Sequence, residues 1–325
     1  MVIDVHNHFY PPEYLDALRD AESVVRVTTD EAGNPCVHYP GDYNVAVQAH
    51  RDIAYRTKIL ERDGVNTQIL TLTTPGTHAE PPARAVRLAR LVNDAFAAIV
   101  RERGPRFAAL ATLPLCDPTA SVAELRRAME ELGFAGAMLF SNVNGTALAD
   151  ARFIPLYEEA NRLGAVLHIH PTSPVGVEVM QDFWLMPLVG FLLDTTLAAA
   201  QLVFAGIPEQ FPRIKWVLSH LGGTIPYLVE RLDRGWRAFP DCRVKVARPP
   251  SEYLRRFYFD TVNFDPRALR FAADFAGVSQ LLAGSDYPHQ IGSIQLMCES
   301  IQAAHFSATE RAQILGGNAV RLYGL

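Results

Sequence analysis

The sequence predicts an α/β fold, and within that class a (β/α)8 barrel forming a single domain over residues 1–325. Three observations predict it. Short apolar runs of β character alternate with segments whose apolar residues recur at three- and four-residue spacing, the mark of amphipathic helices. The runs number eight, as a closed parallel barrel requires. The length, 325 residues, is above that of most domains but ordinary for an α/β barrel.

The eight runs are VIDVH (2–6), VNTQILTLT (65–73), FAALATL (107–113), FAGAMLF (134–140), AVLHIH (165–170), IKWVLSH (214–220), FYFDTV (257–262) and QLLAGSD (280–286). Between them, segments such as ARAVRLARLVNDAFAAIVRERG and ASVAELRRAMEELG close on glycine, as helices do. Residues 11–44 interrupt the alternation. They hold Pro11, Pro12, Pro35 and Pro40 and two β-like patches around the turn signal DEAGNP, so they are expected to form an insertion after strand one, a small hairpin over the barrel mouth. A second excursion, 171–193, contains FWLMPLVGFLL, apolar enough for a core helix, an active-site wall or a subunit interface, with Trp184 a candidate substrate contact. No fixed-period repeat is present, which excludes a solenoid.

Nearly half of the residues, 49%, are apolar, so a large core is available. A net charge of −5 and a pI near 6.1 argue against a nucleic-acid surface or a polybasic membrane anchor, and the expected partner is a small molecule. No signal-like leader opens the sequence, and no apolar stretch runs uninterrupted for about 18 residues, so no membrane association and a cytoplasmic location are expected. Cys36, Cys116, Cys242 and Cys298 lie far apart without a CxxC pair, which suits reduced thiols.

His6 and His8 stand two residues apart, so on a strand their rings point to one side. Alone, such a pair is as readily a chance feature of an N-terminal tail. In a barrel, however, the C-terminal ends of all strands converge on one face. There His6 and His8 end strand one, His170 strand five, His220 strand six and Asp286 strand eight. Burying five such groups costs several kcal/mol each unless they are paired, and a shared cation removes that cost. Imidazoles with one carboxylate suit a divalent ion, Zn²⁺ first, with Mn²⁺, Fe²⁺ or Co²⁺ as substitutes.

In order along the chain, MVIDVHNHF, AVLHIHP, VLSHLGG and LLAGSDYPH resemble the motifs of the amidohydrolase superfamily. Within it the chain is similar to the aminocarboxymuconate-semialdehyde decarboxylase branch, which also holds resorcylate, methylsalicylate and carboxyvanillate decarboxylases. The similarity extends through ERDGV, the FWLMPLVGFLLDTTLAAAQLVFAGI segment and the terminal GGNAVRLYGL. The resemblance implies that His6, His8, His170 and Asp286 bind one metal and that His220 is the catalytic acid or base. It also implies a substrate-carboxylate contact for Arg56, whose fork suits bidentate recognition, against the alternative of a solvated helix-surface arginine. Two positions depart from the aminocarboxymuconate enzyme: Thr172 where it has tryptophan and His289 where it has phenylalanine. His289 is read as a substrate donor or a loop cap.

His168 falls one step deeper than His170 and is assigned to the barrel interior, while Asp4 and Asp260 are candidates to orient metal-binding imidazoles. His38, His50, His78 and His305 lie outside the motifs, with a surface role expected for each and His38 the first exception to consider. FAGAMLF has no lysine, and the only lysines are Lys58, Lys215 and Lys245, so a two-metal centre bridged by a carbamylated lysine is disfavoured.

The expected activity is therefore metal-dependent non-oxidative decarboxylation of an unsaturated or aromatic carboxylic acid. The same ligands serve a hydrolase or hydratase, such as a lactonase or amidase acting on a ring-cleavage product. A catalytically silent barrel is the third reading. The 183–206 stretch and the resemblance together suggest a homodimer.

Overall fold

Eight parallel strands follow one another around the computed structural model, which describes residues 1–325, and each is followed by a helix. The strands are β1 (Ile3–Asp4), β2 (Thr67–Leu70), β3 (Phe107–Ala109), β4 (Gly136–Phe140), β5 (Val166–His170), β6 (Lys215–Leu218), β7 (Tyr258–Asp260) and β8 (Leu281–Leu282). The helices are α1 (Ile53–Arg62), α2 (Pro82–Arg103), α3 (Pro118–Glu130), α4 (Ile154–Leu163), α5 (Phe191–Phe204), α6 (Ile225–Ala238), α7 (Pro266–Ala276) and α8 (Ile294–Ala303). Strands β1 to β3 form one ladder and β4 to β8 another. Single contacts close the seams: Val5 N donates to Ala283 O at 2.9 Å, and Ala111 pairs with Ala137. The result is the predicted (β/α)8, or TIM, barrel.

Each predicted run holds its strand, but the strands are shorter than the runs. The residues after each strand leave the ladder to form the mouth, and these are the residues that carry the site. Val5, Ile69, Leu110, Val166, Val217 and Leu282, drawn from most of the strands, pack together with Leu322 and Tyr323 of the C-terminal helix and fill the barrel. A larger cluster of 64 buried residues lies mostly between the strands and the helical ring. At about 25 cal/mol per Å² of apolar surface removed from water, this layer is the main source of stability.

The insertion is a three-stranded antiparallel sheet, Val27–Thr29, Pro35–Tyr39 and Asp42–Val45, one strand more than the predicted hairpin. Ser173 Oγ donates to Pro40 O at 2.6 Å and Tyr43 lies against Trp184, so the insertion and the 171–193 excursion meet over the mouth. From Asp182 to Phe204 the chain is helical and, by length and mean hydropathy alone, long and apolar enough to cross a membrane, although no apolar stretch in it runs uninterrupted for 18 residues. The polar residues Asp194, Thr195 and Thr196 interrupt the apolar run. Asp194 is buried and accepts from Ser141 and Asn142 at the top of β4, which ties this helix to the barrel.

Candidate metal centre and active site

His6 and His8 follow β1 at a bend rather than within the strand, yet their rings converge, with Nε2 atoms 3.1 Å apart. What holds each ring fixes its tautomer. His6 Nδ1 donates to Asp260 at 2.5 Å, and His170 Nδ1 donates to Pro171 O at 2.7 Å. Thr71 spends its hydroxyl proton on Asn7 O, leaving an acceptor facing His8 Nδ1 at 3.4 Å. With the protons on Nδ1, the Nε2 lone pairs are left for the centre.

Asp286 completes the set from beyond β8: its Oδ1 lies 3.1 Å from His8 Nε2 and 3.4 Å from His6 Nε2. Ligand atoms sharing an ion with bonds of about 2.1 Å stand roughly 3.0–3.5 Å apart. Two lone pairs 3.1 Å apart repel unless a cation lies between them, so this donor set fits a divalent ion. Ligand atoms of His6, His170, His220 and Asp286 all lie within 4.8 Å of one another, and those of His8, Asp286 and His289 do likewise. The expected ligands and His220 are thus brought to one place. A third grouping, His6, His168 and Asp260, is built around the orienting bond to His6, and His168 Nε2 bonds Ser219 Oγ at 3.1 Å instead.

His220 and Asp286 both adopt left-handed backbone, φ 53° and 57°, a conformation that costs a non-glycine residue of order 1 kcal/mol or more and that clusters at functional sites. The glycines of the two motifs have steric causes. A Cβ on Gly222 would come within 2.6 Å of the Phe259 ring, and one on Gly284 within 2.9 Å of His6 Cβ. His220 Nε2 lies 3.8 Å from Asp286 Oδ2, its Nδ1 has no partner in the protein, and Phe191 packs on both His220 and His170.

Burial alone would raise the Asp286 carboxyl, but His220, His8, His6 and His289 around it hold it well below the usual carboxylate range. Burial, with the neighbouring imidazoles, pushes His170 well down, and His8 likewise despite the opposing pull of Asp286. His6 is raised: burial opposes charging it, but Asp260, Asp286 and Asp4 outweigh that. A carboxylate ready to ligate and the neutral imidazoles of His8 and His170 are what a cation site needs, and a bound cation would oppose the protonation that the carboxylates favour at His6.

Several expectations are corrected. Arg56 does not face substrate. Its guanidinium is fully buried, donates to Ala49 O, Asn7 Oδ1, Gln68 Oε1 and His8 O, and is flanked by the rings of Phe9 and Tyr287. It braces the His6–His8 segment from behind. Asp260 orients His6, but Asp4 orients no imidazole: it accepts from Ser285 N and Oγ and from Gln68, tying β1 to β8 and β2. His50 and His78 are buried, not on the surface, whereas His305 is exposed. Trp184 is 54% exposed on the rim and packs toward Tyr43 rather than the histidines. His289 does reach the cluster, with its ring centroid 4.7 Å from that of His8. His38 stays in the insertion, bonded to Thr28 Oγ1 at 2.8 Å.

Sequence reasoning missed Phe191, Phe140 and His78 as walls of the site, with His78 and Phe140 in ring contact at 4.8 Å. The signal was available only for Phe191, inside an apolar stretch already marked as a possible wall.

The geometry agrees with what comparison with known proteins shows. Residues 3–325 match the family model described as amidohydrolase. The chain is 38% identical over 275 residues to the 2-amino-3-carboxymuconate-6-semialdehyde decarboxylase of Dictyostelium discoideum, covering 83% of this chain and 76% of that one. It superposes on 5-carboxyvanillate decarboxylase from Sphingomonas paucimobilis with a TM-score of 0.87 at 28% identity, covering 100% and 99% of the two chains. A dihydroxybenzoic acid decarboxylase from a Polaromonas species, solved with bound manganese and an inhibitor, gives a TM-score of 0.84 at 25% identity, covering 100% and 97%. With nearly every residue matched and the motif histidines and aspartate gathered at one barrel rim, the chain belongs to the amidohydrolase family.

Proposed function

We infer that the protein is a metal-dependent, non-oxidative decarboxylase of a small aromatic or unsaturated carboxylic acid. The observation that carries this reading is the convergence of three Nδ1-anchored histidines and Asp286 beside His220. The ion we propose is a single Zn²⁺, with Mn²⁺ as a substitute, held by His6, His8, His170 and Asp286. When bound, it would supply Lewis-acid charge at the substrate's carboxylate.

His220 transfers a proton from Nε2, the nitrogen facing the cluster, to the carbon bearing the carboxylate. Imidazole suits the task because its ring nitrogens can both give and take a proton. The carbon–carbon bond then breaks, its electron pair returns to the ring or conjugated chain, and CO₂ departs. The net change is one proton for one CO₂. Phe191 and Phe140 keep water from this face, and Asp260, Thr71 and Pro171 O hold the imidazoles in place.

We further propose a homodimer joined through the apolar face of the 183–206 stretch, where Phe183, Leu188, Val189, Leu193 and Leu197 are all exposed. A cytoplasmic location is consistent with four unpaired cysteines. The test of the reaction is product mass: loss of CO₂, with deuterium at the vacated carbon in D₂O, is expected. A product heavier by water, with no CO₂, would replace this reading with the hydrolase or hydratase one.

A further inference from the structure

The imidazoles of the centre donate their Nδ1 protons to different kinds of acceptor. His6 has a carboxylate, Asp260, in direct contact, whereas His170 has only the carbonyl oxygen of Pro171, at 2.7 Å. A neutral carbonyl is the weaker acceptor and leaves the ring the less basic ligand.

The far side of that peptide group is built up. The C=O of Pro171 and the N–H of Thr172 belong to one planar unit, and Thr172 is buried. Thr172 N lies 3.2 Å from Ser141 Oγ and 3.4 Å from Asp194 Oδ2 and donates toward both, while the Ser141 hydroxyl donates in turn to Asp194 Oδ2. Asn142 Nδ2 donates to the same oxygen at 3.2 Å. Burial pushes the Asp194 carboxyl up, and these donors pull it back toward the charged form.

Asp194 stands in the first turn of α5, on the same helix as Phe191, whose ring packs on His170 and His220. Ser141 follows β4, and Thr172 lies just past β5. One buried side chain therefore pins β4, β5 and α5 where they meet at His170.

We propose that Asp194 is a positioning residue of the metal centre, its carboxylate acting on His170 through the Pro171–Thr172 peptide. This rests on the reading of His170 as a ligand. Negative charge on the N–H side polarises the peptide, makes Pro171 O the better acceptor for His170 Nδ1–H, and so makes His170 Nε2 the better ligand. Hydrogen bonds in a chain strengthen one another in this way. Loss of an outer partner of a metal-binding histidine costs about ten- to a hundredfold in metal affinity, and with a peptide in between the low end applies.

The test measures the zinc dissociation constant by competition with a chromophoric chelator, with the melting temperature of the metal-free protein as the control for folding. Asp194→Asn keeps the size and loses the charge. It should hold zinc about tenfold more weakly and shift the ligand-field bands of the cobalt-loaded protein. Thr196→Val loosens the same helix, where Thr196 Oγ1 accepts from Thr224 N at 2.9 Å, without touching the peptide, and should leave affinity and bands unchanged. An affinity or a spectrum equal to wild type in Asp194→Asn would overturn the relay. An equal loss in Thr196→Val would do so too, by reducing the effect to helix placement. Where Asp194→Asn does not fold, Ser141→Ala decides, because it removes the hydroxyl between carboxylate and peptide: affinity lowered several-fold supports the relay, and unchanged affinity overturns it. His170→Ala separates this inference from the reading of the centre. Zinc lost in His170→Ala but held normally in Asp194→Asn overturns the relay and leaves the ligand set standing, whereas zinc held at full affinity in His170→Ala removes the ligand and the relay with it.

Discussion

The deep cluster and the mouth of this barrel are built by different means. In the cluster, each functional side chain sits at or just past a strand end, and groups at the strand ends fix its ring: Asp260 of β7 for His6, Thr71 just past β2 for His8, Pro171 O for His170. At the mouth, the partners sit on loops and on the insertion. His289 meets Thr73 and His50, Tyr43 meets Trp184, and Ser173 meets Pro40. The difference teaches that chemistry in this fold is placed by the strand ends, whereas selectivity is assembled by loops, in keeping with the division of labour in barrel enzymes.

The contrast can be broken or sharpened by substitution. The largest effect is expected in the cluster itself: Asp286→Ala or His170→Ala should abolish turnover and leave metal well below one ion per chain, read by elemental analysis. Full occupancy in either variant would remove that residue from the ligand set.

Next comes Arg56, behind the cluster. Arg56→Met leaves the carbonyls of Ala49 and His8 and the side-chain oxygens of Asn7 and Gln68 without their donor, and should lower unfolding free energy by roughly 3 kcal/mol or more. Arg56→Lys should fall between the two and loosen the ion with it. A raised KM with stability and metal content intact would return Arg56 to the substrate.

His78 gives a smaller, pH-dependent effect. Burial lowers it from 6.5 to about 4, so between those values the unfolded chain binds the proton and the folded protein does not. Its contribution is therefore complete above about pH 6.5 and is lost as pH falls to about 4, at most roughly 3 kcal/mol. Denaturation of His78→Leu across that window should show a shallower loss than wild type; an identical slope would remove His78 as a source. The smallest effect on the chemistry is expected at the exposed face. Leu193→Glu should leave the cluster untouched while halving the mass seen by light scattering, and an unchanged dimer mass would place the interface elsewhere.

The parts read from sequence follow the same division. The eight runs and the residues His6, His8, His170, His220 and Asp286 were legible because a strand's end is marked by local pattern and the barrel brings all such ends together. Arg56 was misplaced because a motif match tells where a residue lies in the chain, not which way its helix turns it. His50 and His78 were misassigned because nothing adjacent to them signals burial: each is covered by segments distant in sequence, Tyr10 and His289 for one and Phe140 for the other. The third strand of the insertion was missed because DYNV is only four residues long, buries its polar Asn44 while exposing Tyr43, and pairs only through its neighbour.

On the proposed function, four residues hold the ion and a fifth moves the proton. That division of roles is tested most directly by measuring metal content and turnover together in His220→Ala. One ion per chain, retained substrate binding, and turnover reduced by roughly two to four orders of magnitude, the usual worth of a positioned acid or base, are expected. Loss of the ion in that variant would make His220 a ligand, and undiminished turnover would assign the proton to another group.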